Sequence, residues 1–174
     1  MHLILIGLRG SGKTTAGRAA ADLLSRPFVD LDDVTRKVCG MTASTCFETA
    51  GEATWRAAEC AALERTLASK VPSVMALGGG TPTAPGAFEL LEAAQAGGRA
   101  RIVRLHAPAN ELIARIADCP DRPSLTALDP LDEMTTIEKA RGPLLEKLAT
   151  TAIDTSDRSI EQVAEAVCRA LTSD

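Results

Sequence analysis

Short apolar runs alternate with longer stretches whose apolar positions recur at helical spacing, and this alternation predicts a parallel sheet with helices on its faces. Leu3 to Ile6 is a continuous apolar run, the pattern of a strand buried on both sides. Thr14 to Ser25, rich in Ala and Leu, predicts a helix, Phe28 to Asp30 a second strand, and Asp33 to Val38 the start of a helix that ends near Gly40. In Thr54 to Ala68 either Ala57, Ala61 and Leu67 or Ala58, Ala62 and Leu63 form a helical stripe. Pro72 to Leu77 reads as a third strand, stopped by Gly78-Gly79-Gly80, and Ile102 to Leu105 as a fourth. Pro85 to Ala96, Pro108 to Ala117 and Leu131 to Leu148 read as helices, the first two with Pro near the start. A strand near Ala152-Ile153 and a helix from Ile160 to Leu171 close the pattern. Asp118 to Pro130 holds three prolines without periodicity and predicts a mobile loop.

Length and composition narrow this picture. With 174 residues, 45% apolar and 24% charged, the chain predicts one ordinary globular domain, 1-174. One Trp, three Phe and no Tyr make base stacking on aromatic platforms a poor candidate, and a net charge of -4 lacks a basic footprint, so no nucleic-acid partner is expected. No apolar run approaches a membrane span, and the N-terminal stretch does not read as a signal peptide, so a cytoplasmic protein without a membrane partner is expected. The five cysteines are scattered, form no C-x-x-C pair, and read as small core residues. Fourteen of the nineteen basic residues are arginine, whose planar fork suits carboxylate and phosphate.

Gly7-Leu8-Arg9-Gly10-Ser11-Gly12-Lys13-Thr14 matches G-x-x-x-x-G-K-[ST] between a buried strand and an Ala-rich helix, the context the motif requires. The glycines let successive backbone N-H groups point at nucleotide phosphates, and the helix N-terminus adds its partial positive charge. Lys13 reaches the β- and γ-phosphates in such loops, and Thr14 offers its hydroxyl to Mg²⁺. The chain has no Asn-Lys-x-Asp segment of a GTPase, and its third and fourth strands run into Gly78 and His106 rather than into an acid. The acids at a strand end are Asp30 and Asp32. In a parallel sheet that end faces the ligand crevice. One carboxylate can therefore serve a metal-bound water and the other a substrate hydroxyl, while Asp33 reads mainly as a helix cap.

These features, in order along the chain, resemble the shikimate kinases, small P-loop enzymes of the nucleoside-monophosphate-kinase-like group. The resemblance rests on the phosphate loop, on Phe28-x-Asp30-x-Asp32, and on Gly51-Glu52 followed by Trp55-Arg56 and Glu59. It continues through the triple glycine, Arg122-Pro123 and Arg141-x-Pro143-Leu144. It implies a three-layer α/β fold with a five-stranded parallel sheet in the order 2-3-1-4-5, a shikimate-binding region near residues 31-62 and a lid near 118-130. It implies transfer of the γ-phosphate of ATP to the 3-hydroxyl of shikimate, in chorismate and aromatic amino-acid biosynthesis, by a Mg²⁺-dependent monomer.

Lys13, Asp32 and Arg122 are the catalytic residues so implied. ATP would be held by Gly10, Ser11, Gly12, Lys13, Thr14, Thr15, Arg115, Arg122 and Arg158, and the metal by Thr14 and Asp30. Shikimate would be held by Asp32, Arg56, Gly78, Gly79, Gly80 and Arg141, with the two arginines on its carboxylate. Blander readings are a surface pair between Arg56 and Glu59, three apart on a helix, and a helix-surface charge at Arg141. Rival activities are a kinase for another polyhydroxy acid such as gluconate, and a regulatory module without transfer activity. The chain departs from the family pattern at Arg36, where Glu is usual, at Ser124 in the lid, at Trp55 in place of Phe, and at Leu145, where the motif usually ends in Tyr.

Overall fold

A computed structural model of the chain describes residues 1-117 and 129-172. Five parallel strands, β1 (His2–Ile6), β2 (Phe28–Asp30), β3 (Val74–Ala76), β4 (Ala100–His106) and β5 (Thr151–Asp154), lie in the order β2-β3-β1-β4-β5. This is the expected sheet. The apolar run of β1 occupies its centre, with Leu3 beside Val74 on one side and Arg101 on the other.

Because side chains alternate across a strand, β1 feeds two cores. Leu3 and Leu5 face Ala16, Ala20, Val163 and Val167, from α1 (Lys13–Leu23) and α8 (Ile160–Ala170). Ile4 and Ile6 face Leu63, Leu91 and Leu145, from α4 (Glu52–Leu67), α5 (Ala87–Ala96) and α7 (Pro130–Leu148). In α4 the buried stripe is Ala58, Ala62 and Leu63, the second of the two predicted sets. The alanines of α1 and its Gly17 permit close approach: a Cβ at Gly17 would lie 2.8 Å from the Phe28 ring.

Several boundaries differ from the sequence reading, each for a local reason. The second helix, α2 (Leu31–Cys39), starts two residues early because Asp30, not Asp33, is its N-cap and accepts from the Asp32 amide at 3.1 Å. Gly40 ends it in the left-handed conformation, as expected. A helix that the pattern does not reveal, α3 (Ala43–Thr49), follows, capped by Thr42, whose side chain accepts from the Thr45 amide. A single 3₁₀ turn at Thr81–Thr83 follows the triple glycine. β4 runs longer than predicted at both ends, and at its start Arg101 donates to the Ala170 carbonyl; within it, Arg104 pairs with Glu138 and Glu146 on α7. The remaining helix, α6 (Ala109–Ile116), follows β4.

Candidate active site

All five strands are parallel, so their C-terminal ends meet on one edge of the sheet, and a cleft of about 920 Å³ runs along it. Every predicted site residue among those described lines this cleft. Arg122 and residues 118-128 of the expected lid lie outside the described residues.

At the middle of the cleft is the loop after β1. Gly10 and Gly12 have φ of 77° and 87°, which L side chains rarely adopt, and a Cβ at Gly10 would also strike the Leu112 backbone on α6. The loop is therefore curled and held against α6 by its glycines. Lys13 Nζ donates to the Gly7 and Leu8 carbonyls at 2.8 and 2.7 Å, which fixes the ammonium inside the curl. Ser11 is fully buried and its hydroxyl donates to the Leu8 carbonyl at 2.9 Å, so its side chain braces the loop. Thr14 Oγ1 donates to Asp30 Oδ2 at 3.0 Å. The hydroxyl and the carboxylate singled out for the metal are thus neighbours, and both are the hard oxygen donors that suit Mg²⁺.

On the β2-β3 side, Gly78 and Gly80 are set by crowding and not by φ, whereas a Cβ on Gly79 would meet only ordinary contacts at 3.6 Å or more. A Cβ on Gly78 would strike Asp32 Oδ1 and come within 3.0 Å of Glu59 Oε1, and one on Gly80 would fall into the Arg56 guanidinium. Arg56 donates to Glu59 Oε2 at 2.7 Å and to Glu52 Oε1 at 2.7 and 3.0 Å. The pair with Glu59 is no loose surface contact, because Glu59 is 1% exposed and its other oxygen accepts from Thr81 Oγ1 at 2.7 Å. Glu59, which the sequence reading held only within the family pattern and as a surface pair, lines the cleft, and Thr81, not singled out from sequence, is fully buried behind it.

Arg141 comes from α7 and donates to the Gly79 carbonyl at 3.1 Å, so it points into the cleft and is no helix-surface charge. Burial lowers the Arg141 pKa, and the neighbouring charge of Arg56 lowers it further against the opposing pull of Glu52 and Glu59. Burial acts the same way on Arg56, but there Glu59 and Glu52 more than offset it and hold the guanidinium above its ordinary value. A bound anion beside Arg141 offsets the burial and the Arg56 charge that disfavour its charged form. Trp55, buried and edge-on to Phe47 with centroids 6.2 Å apart, walls this pocket together with α3. Arg36, the departure from the family pattern, pairs with Asp33 at 2.9 Å in solvent at the rim.

At the other end, Arg115 on α6 donates to Thr155 Oγ1 at 2.8 Å and to the Thr155 carbonyl at 3.0 Å, just beyond β5. Arg158 lines the same end. Thr155 is buried, and its hydroxyl donates to the His106 carbonyl.

A glycine-cradled phosphate loop at the centre of a 2-3-1-4-5 sheet, with an acid and two arginines across the cleft from it, defines a P-loop kinase acting on a small anionic acceptor. Residues 9-172 match the family model described as shikimate kinase. The shikimate kinase of Corynebacterium glutamicum is 34% identical over 172 residues, 99% of this chain and 97% of that one. The solved shikimate kinase from Acinetobacter baumannii, in complex with shikimate, superposes with a TM-score of 0.87 at 30% identity, covering 97% of this chain and 91% of that one. A gluconokinase from Sinorhizobium meliloti, at 19% identity and a TM-score of 0.56 over 98% of this chain and 91% of its own, shares the fold. The chain belongs to the shikimate kinase family.

Proposed function

We propose that the cleft transfers the γ-phosphate of ATP to the 3-hydroxyl of shikimate, giving shikimate 3-phosphate and ADP. The observation that carries this reading is the convergence of Asp32, Arg56 and Arg141 around the triple glycine, facing the phosphate loop. Shikimate is a small ring with one carboxylate and three hydroxyls. Arg56 and Arg141 hold its carboxylate, and the guanidinium fork makes that contact charge-assisted. The glycines let the ring lie against backbone. Asp32 accepts from a ring hydroxyl and takes its proton as the oxygen attacks the γ-phosphorus and the bond to the β-γ bridging oxygen breaks. Lys13 holds charge on the transferring group, with the amides of Gly10 to Thr15 around the phosphates. Arg115 and Arg158 hold the adenine end.

Thr14 and Asp30 hold Mg²⁺, which when bound neutralises charge on the phosphates. Among the described residues no helix is long and apolar enough to cross a membrane. The reading is of a cytoplasmic, single-domain monomer with small-molecule partners only, and the net charge of -4 speaks against a nucleic-acid partner.

Gluconate also offers a carboxylate and hydroxyls, but a rigid ring acid suits a pocket walled by Trp55 and backbone better than a linear chain does. ADP release measured by a coupled assay with shikimate, with gluconate and with neither separates the readings. ADP release that depends on shikimate is expected. Release that gluconate supports equally, or that needs no acceptor, would overturn the proposal.

A further inference from the structure

Cys39 and Cys46 are separated by six residues in sequence, yet their sulfurs lie 3.6 Å apart, in van der Waals contact. Cys39 is the last residue of α2 and is partly exposed; Cys46 lies in α3 and is fully buried. Between them the chain turns through Gly40, at φ 78°, the half-buried Met41 and the exposed Thr42. Each sulfur is thus on a helix, joined by a short turn whose glycine can absorb a small rotation.

We propose that Cys39 and Cys46 are a reversible thiol-disulfide site whose oxidation by hydroperoxide weakens binding of the acceptor. Cys39, the accessible sulfur, attacks one oxygen of hydrogen peroxide; the O-O bond breaks, and a sulfenic acid and water result. The Cys46 sulfur then attacks the Cys39 sulfur, the S-S bond forms, the S-O bond breaks, and the oxygen leaves with the Cys46 proton as a second water. Two thiols are oxidised and one peroxide is reduced to two waters. Cys46 is the resolving partner because it is fully buried while the Cys39 sulfur is the accessible one, and it gives up its proton as it attacks.

The link to the acceptor is structural. Closing the pair needs the sulfurs to approach by about 1.5 Å, since a disulfide is only about 2 Å long. Cys46 cannot shift alone. Its carbonyl accepts from the Ala50 and Gly51 amides, both at 2.8 Å, and Gly51 is the N-cap of α4, which carries Arg56 one and a half turns on. On α3 itself, Ser44, Phe47 and Glu48 line the cleft. Pulling α3 toward the end of α2 therefore moves the acceptor wall and disturbs the setting of Arg56, while the phosphate loop lies on other elements. This consequence rests on the acceptor assignment proposed above; the bond itself does not.

The test treats the full chain with hydrogen peroxide, maps its peptides by mass spectrometry, and measures KM for shikimate and ATP before and after reduction. The expected result is a Cys39-Cys46 peptide about 2 Da lighter than its reduced form, a severalfold rise in shikimate KM reversed by dithiothreitol, and little change for ATP. Cys39→Ser should keep its basal activity and lose the peroxide response. The proposal is overturned if both cysteines go to sulfinic acid or pair with Cys60, Cys119 or Cys168. It is equally overturned if the bond forms with shikimate KM unchanged, or if Cys39→Ser responds as the wild type does. A reduced enzyme inactive on shikimate would instead contradict the proposed function, and the peptide map would still read the bond.

Discussion

At the scale of single residues, the triple glycine divides into parts with different consequences. A Cβ on Gly78 displaces Asp32, whereas one on Gly80 displaces Arg56. Gly78→Ala should therefore lower kcat, and Gly80→Ala should raise the shikimate KM, each by about tenfold or more, because small misplacements of site groups are costly. Steady-state kinetics on the two variants checks the split. Asp32→Asn should lower kcat by about 10²-fold or more while ATP still binds, the usual scale of a lost proton acceptor, and turnover that survives nearly intact would refute its role. These residues were legible because their chemistry is written in residue type and spacing. Glu59 was named only within the family pattern and as a surface pair, with no role in the site. A carboxylate three residues from an arginine reads as a surface pair until the fold buries it against Thr81.

At the scale of elements, the positions of α7 and β1 depend on polar contacts that periodicity cannot show. Arg104 interrupts the apolar pattern of β4, yet it is 7% exposed, because Glu138 and Glu146 reach it from α7. Those two acids flank Arg141 in sequence, so the same clasp presents Arg141 to the cleft. Arg104→Met leaves both carboxylates in partial contact with solvent, so the expected cost is about 1–2 kcal/mol, a fall in Tm of roughly 2–8 °C. Thermal unfolding checks this. At the foot of β1, His2 is buried: its Nδ1 accepts from the Ser73 amide at 3.3 Å, and its Nε2 lies 3.1 Å from the Ser69 carbonyl. Burial lowers its pKa from the ordinary 6.5 despite the Ser69 contact, so the folded chain prefers the neutral ring. The resulting stability is present above about pH 6.5 and is lost as pH falls through the lowered value. His2→Asn should flatten the dependence of Tm on pH between 7 and 5. The helix α3 was illegible for a related reason. Its Ser, Thr and Cys residues have little intrinsic helical preference, and the Thr42 cap and packing on α4 decide the outcome. The start of α2 was misplaced because three aspartates, 30, 32 and 33, compete as caps, and only the end of β2 decides among them.

At the scale of the whole molecule, strand order does what no local pattern can. Arg56 on α4 and Arg141 on α7 are far apart in sequence, and the 2-3-1-4-5 sheet brings the edges that carry them to one cleft beside Gly79 and Gly80. The chain's net charge of -4 therefore coexists with two arginines in one cleft, and the pKa of Arg141 is lowered first by burial and then by the nearby charge of Arg56. Alternation of strands and helices foretold the architecture, because burial on both faces dictates it. The motifs foretold which residues meet. The buried partners that hold them in place were set only by tertiary contact. The central claim, that this pair of arginines is built for the carboxylate of the acceptor, is tested most directly by titrating shikimate and ATP separately into the wild type and into Arg141→Ala. Loss of one charge-assisted carboxylate contact predicts shikimate affinity lower by about 30-fold or more, with ATP affinity within about twofold. Unchanged shikimate affinity, or equal losses for both ligands, would contradict it.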